Sequence, residues 1–259
     1  MALRYSTGVR NFLMGYGSFK QAFQNGKLEI YTGSQPATAD AAATGTLLCT
    51  ITAASAARTA EVRASGTVTL TGGASGSVDT LTVNSVNVLG AAVAYNASLT
   101  QTAADVAAQI NSYLGNVEYV ATSAGAVITI TAMPGTGASP NGFVVASTAT
   151  TITKTDVNLS GGVAAVNGLS FGYAGAVAGT VSKLASQVWS GVNDNTGTAG
   201  WYRIYGSVAD AGGADATLLA IREDGAIAVS GAELNMSSTS LTATATTTIS
   251  SWDRTLPTL

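Results

Sequence analysis

The sequence has no histidine, one cysteine, four prolines and, across 259 residues, only eleven basic and fourteen acidic side chains. Each shortage excludes something. Without histidine the chain lacks the commonest general base, the usual switch at physiological pH and the favoured neutral metal ligand. Cys49 has no second thiol for an internal disulfide or a cysteine-based zinc site, and no imidazole to make a thiolate pair. Stability must come from packing. Charged residues make up 10% of positions, against about a quarter in ordinary soluble domains. A formal charge of -3 offers no broad cationic surface to a polyphosphate backbone, so no nucleic-acid partner is expected. Mean hydropathy is +0.31, yet no run approaches the roughly 18 apolar residues of a spanning helix, and no membrane partner is expected. Residues 1–10, MALRYSTGVR, lack the basic, apolar and small-residue order of a secretory signal. A soluble chain made in a cytoplasm is the expectation.

Alanine, threonine, serine and glycine fill the space that charge leaves. Hydrophobic residues reach 46%, enough to furnish a core and to exclude a disordered chain. The exterior is then largely Thr, Ser, Asn, Ala and Gly, whose short side chains lose little rotamer entropy on being covered. Such a surface suits permanent contact with neighbours.

A step in composition divides the chain. From Ala64 to Thr153 there is no Lys or Arg, which marks residues 63–162 as an inserted module between 1–62 and 163–259. Within it, Val78–Val83 and Ala126–Thr131 alternate as half-buried strands do. Ser98-Leu-Thr-Gln101 reads as a capping box opening a helix, with Leu99, Ala103, Val106, Ile110 and Tyr113 on one face before Gly115. A small α+β unit follows. In the flanks, Ser6 caps a helix carrying Val9, Phe12, Leu13, Tyr16, Phe19 and Phe23, stopped by Asn25-Gly26. Lys27–Tyr31, Thr46–Thr52, Leu169–Tyr173, Val181–Leu184, Ser186–Trp189, Gly200–Tyr205, Ala216–Ile221, Ala226–Val229 and Leu241–Ile249 read as short strands between turns. The predicted fold is mainly β: an antiparallel β-sandwich or jelly-roll-like domain carrying the inserted α+β domain.

Little in the sequence carries chemistry. The adjacent carboxylates Glu223-Asp224 precede Gly225 and read as a hairpin turn. The loops Asp210–Asp215 and Val192–Gly197 offer oxygen ligands but not the calcium-loop spacing, and read as solvated turns. Gly72–Gly76 and Gly172–Gly179 lack the Gly-Lys-Ser/Thr of a phosphate loop. Ser182 and Lys183, adjacent on a strand, point to opposite faces. No catalytic residue, cofactor or metal ligand is assigned, and no enzyme is expected. The aromatics favour contact surfaces. Trp201, Arg203 and Tyr205 share one face by alternation, a combination typical of interfaces. Phe12, Tyr16, Phe19 and Phe23 form a second candidate interface, and Trp189 or Trp252 could stack on a host-surface glycan.

Gly26–Gly33 with Gln35-Pro36, Gly168–Phe171, Val188-Trp189, Gly197–Arg203, Glu223–Gly225 and Thr255–Pro257 resemble a family of virion structural proteins of tailed bacteriophages, across both flanks. Gly66–Leu70, the Ala/Asp/Val helix and Ala126–Thr131 resemble the small α+β modules inserted in phage tail-sheath and other virion proteins. The resemblance implies a protein of the virion, assembled in the host cytoplasm. It would be a capsid decoration, cement or accessory head component contacting the major capsid protein, other virion proteins or copies of itself. A tail or baseplate fibre subunit and a carbohydrate-binding module are the alternatives. Sheath proteins are longer and more charged, so no contractile role is carried over.

Overall fold

The computed structural model describes residues 3–173, 179–218 and 220–255. The fold is mainly β with several antiparallel sheets. The chain separates into two compact units, Met1–Glu61 with Ala165–Leu259, and Val62–Ala164.

The first unit is built on a nine-stranded sheet. Its order is Arg4–Tyr5, Arg222–Ala228, Gly197–Tyr205, Lys27–Thr32, Leu47–Ala53, Trp189–Val192 and Thr246–Ile249, with Leu234–Asn235 and Ser240–Leu241 paired to the side. Leu234–Asn235 runs parallel to its neighbour, while the other ladders are antiparallel. A three-stranded sheet of Phe171–Tyr173, Thr180–Lys183 and Asp253–Thr255 completes the unit. Between the sheets lies an aromatic cluster. Phe171 meets Trp189 edge-on at 5.1 Å and Trp252 at 5.4 Å, and Phe19 stacks on Trp252 at 6.1 Å. Cys49 is buried among the apolar residues of its strand, and burial pushes its thiol up to about 12.

Several expectations change here. The N-terminal helix is two helices, Thr7–Gly15 and Phe19–Phe23, because Ser18 and Gln21 form a capping box that starts the chain afresh after Gly15 and Gly17. Glu223-Asp-Gly225 is not a turn. It lies inside the Arg222–Ala228 strand, where Gly225 sits opposite Tyr202 and a Cβ would come within 2.5 Å of that residue's hydroxyl. The glycine answers to an overlying ring rather than to a positive φ. Ala216–Ile221 forms no strand among its described residues. The Leu241–Ile249 run is two short strands parted by a turn in which Thr244 takes φ 68°. Gly200 makes a bulge between Ala199 and Trp201, and a Cβ there would stand 2.0 Å from the Gly33 carbonyl.

The second unit has two four-stranded sheets. One runs Thr153–Ser160, Ser65–Gly72, Val127–Ala132 and Tyr119–Ala124; the other groups Val145–Thr150, Ser77–Val83, Val86–Asn87 and Val93–Ala94. Alternation turns Val68, Leu70, Ile128 and Ile130 inward, and the Leu99–Ser112 helix adds Ala103, Val106 and Ile110 to the same core. Ser98 caps that helix by accepting from the Gln101 amide at 3.1 Å. The reciprocal half of the expected capping box is absent, because the Gln101 side chain turns to Asp105 at 2.9 Å instead.

Candidate functional site

In the first unit, charge is gathered into the sheet. Register sets Arg203 opposite both Glu29 and Asp224. Arg203 Nε and Nη2 donate to the two Asp224 oxygens at 2.6 and 2.7 Å, with both side chains wholly buried. Its Nη1 reaches the Ala41 carbonyl at 3.0 Å. Arg222 binds Asp210 through both oxygens at 2.7 Å and reaches the Ala39 carbonyl at 3.4 Å. Arg4 donates to the Pro36 carbonyl. Three arginines thus hold residues 36–41 by the main chain, and Asp40 fastens the same segment to Thr7 at 2.7 and 2.8 Å. On this face Tyr31 stacks on Trp201 at 4.6 Å, and its hydroxyl donates to Glu29, which Lys27 meets at 2.5 Å.

Alternation sends Glu223 and Tyr202 to the opposite face. Tyr202 Oη donates to Glu223 Oε1 at 3.0 Å, and Arg254 Nε donates to Oε2 at 3.1 Å. Burial pushes the Glu223 carboxyl above its ordinary range against the pull of Arg254 and Tyr202, and burial next to Glu223 pushes the Tyr202 phenol well up. The two adjacent carboxylates of this strand are each closed by an arginine, Asp224 by Arg203 and Glu223 by Arg254, an arrangement that ties neighbouring strands together in register.

The sequence-selected interface residues need correction. Phe12, Phe23, Trp201, Arg203 and Tyr205 are all at most 2% exposed. They belong to the interior, since Asp224 supplies inside the fold the partner that Arg203 otherwise needs from outside. Only Tyr16 and Phe19 retain partial exposure. Trp189 and Trp252, the candidate glycan platform, are likewise buried in the aromatic cluster. The two candidate calcium loops are occupied with their own chain. Asp210 holds Arg222, Asp215 accepts from the Thr217 amide at 2.8 Å, and Asn193 binds Thr242 and Thr247. Among the described residues no group of three or more metal-ligating side chains is present, and no helix is long and apolar enough to cross a membrane.

What sequence reasoning missed is a groove of about 410 Å³ lined by Asn235–Ser238, Ser240–Thr242 and Ala245–Ser251, along the outer strand of the large sheet. Its signal was the absence of any charged residue between Glu233 and Asp253. Comparison with protein-family models, curated proteins and solved structures finds no match to the chain.

Proposed function

We propose that the chain is a non-enzymatic structural component of a tailed-phage virion. It serves as a capsid decoration, cement or accessory head protein that contacts the major capsid protein, other virion proteins and further copies of itself. The observation that carries this reading is where the charge goes. Of few ionisable side chains, Glu29, Glu61, Arg203, Arg222, Glu223 and Asp224 are buried, so the exterior is poorer in charge than the composition alone implies. A surface of small uncharged side chains costs little to desolvate or to order when a neighbour covers it, as lateral surfaces in a symmetric array are covered. The sole adjacent carboxylate pair, Glu223-Asp224, serves as the internal partner of Arg254 and Arg203 rather than as an acid and base facing substrate. The likeness of both flanks to virion proteins supplies the setting. Immunogold labelling of intact particles tests the proposal. Gold over the heads is the expected result, gold confined to tails or baseplates moves the protein to a fibre, and particles without label overturn the reading.

A further inference from the structure

The Thr246–Ile249 strand ends the large sheet and pairs on one side only, with Trp189–Val192. Asn193 N donates to the Ala245 carbonyl at 2.8 Å, which sets the closely bonded antiparallel positions at 245, 247 and 249. By alternation the main-chain N–H and C=O groups of Thr246, Thr248 and Ser250 then point away from the paired strand, and all three residues line the groove. Among the described residues none bonds to them.

Four other sheet edges are protected in ways familiar from soluble β proteins. The Arg4–Tyr5 edge is two residues long. The Tyr119–Ala124 edge is closed by Asn111, whose amide both donates to and accepts from the Ala121 main chain at 2.8 Å. The Thr153–Ser160 edge carries the Lys154–Asp156 pair, and the Asp253–Thr255 edge carries Asp253 and Arg254. The Thr246 edge has neither a charge nor a proline, and its whole surround from Leu234 to Trp252 is uncharged.

From this contrast we propose that the edge pairs antiparallel with the same edge of a second copy, about a twofold axis at Thr248. In that register Thr248 faces Thr248 and Thr246 faces Ser250, so the outward groups of both copies bond one another. Thr247 faces Ile249 on the inner side, continuing the buried pattern of the strand. A neutral edge best complements another neutral edge, because a charged strand would lose solvation without gaining a partner. The groove gives the incoming strand room beside the sheet, about 4.8 Å from its neighbour.

Light scattering on the purified full chain over a wide concentration range tests the contact, which exists apart from any particle. A mass twice the 25.7 kDa of the chain is expected. Thr248→Pro removes one outward N–H from each copy and raises the dimer dissociation constant roughly 30-fold, and Thr248→Lys weakens it through like charges at the axis. Thr122→Lys, on the edge that Asn111 closes, leaves it unchanged. Circular dichroism and melting temperature confirm folding, and the exposed Thr248→Lys carries the test if the proline variant does not fold. A monomer at every concentration overturns the proposal, as does a dimer indifferent to both Thr248 variants. A monomer that gains mass only with another virion protein also overturns it, assigning the edge to that partner.

Discussion

The two units solve the problem of a stable core by opposite means. Val62–Ala164 closes over a cluster of twenty apolar side chains without an ion among them. The other unit buries two arginines and four carboxylates and binds a main-chain segment with the arginines. Apolar burial is additive and forgiving, whereas a buried ion is tolerable only while its partner stays in place. The second unit should therefore yield gradually to mutation, and the first abruptly.

The largest effect expected is in the first unit. Arg203→Met strands Asp224 in the interior and costs roughly 3–5 kcal/mol, whereas Arg203→Met with Asp224→Leu restores most of that loss. Tryptophan fluorescence during chemical unfolding measures this directly, because Trp189, Trp201 and Trp252 all lie in this unit. Equal losses in single and double variants would break the comparison. Next comes Ile128→Ala, which opens a cavity in the apolar core and costs about 3 kcal/mol. The loss should appear in amide exchange of the second unit and leave the tryptophan transition in place. Ser98→Ala removes the helix cap at a cost of about 1 kcal/mol, read by the same exchange around Leu99–Ser112.

Acid should part the units by the smallest margin. Glu223 is raised above its ordinary 4.5 by burial, so the fold favours its neutral form. That contribution is lost as pH rises through the raised value, and the first unit gains on acidification from pH 7, fully so below 4.5. Asp79 is held below its ordinary 3.8 by the Ser77 and Thr150 hydroxyls, and Asp105 by the Asn96 and Gln101 amides. Their contribution to the second unit is present above that range and lost as pH falls through the lowered values. Melting followed from pH 7 to 3 should show the second unit falling at the acid end by more than the first, in which, among the described residues, Asp215 alone is held low, by the Thr217 amide. Parallel falls would contradict the assignment of these carboxylates.

The same contrast explains how much was legible in the sequence. Alternation in Ala126–Thr131 and the apolar spacing from Ala103 to Ile110 announce the inward residues of the second unit, because there polar does mean outside. In the first unit that equation fails. Arg203 read as an interface residue and Asp224 as a turn residue since each has its partner on another strand, and register is not written in either strand alone. The oddity of Arg203 between Trp201 and Tyr205 was visible; that its answer was Asp224 rather than another molecule was not. Asp-Gly at 224–225 misled because that pair marks a hairpin only where the backbone needs a positive φ. The open edge at Thr246 was hidden for a related reason, since a strand's place in a sheet is a property of the whole fold.

On the proposed function, the molecule works through the faces it offers to neighbours. Quantitative mass spectrometry of purified particles tests it most directly. The account predicts the chain as a stoichiometric component, in a copy number that is a multiple set by the symmetry of the head. Its absence from particles, with the chain left free in the lysate, would contradict the account.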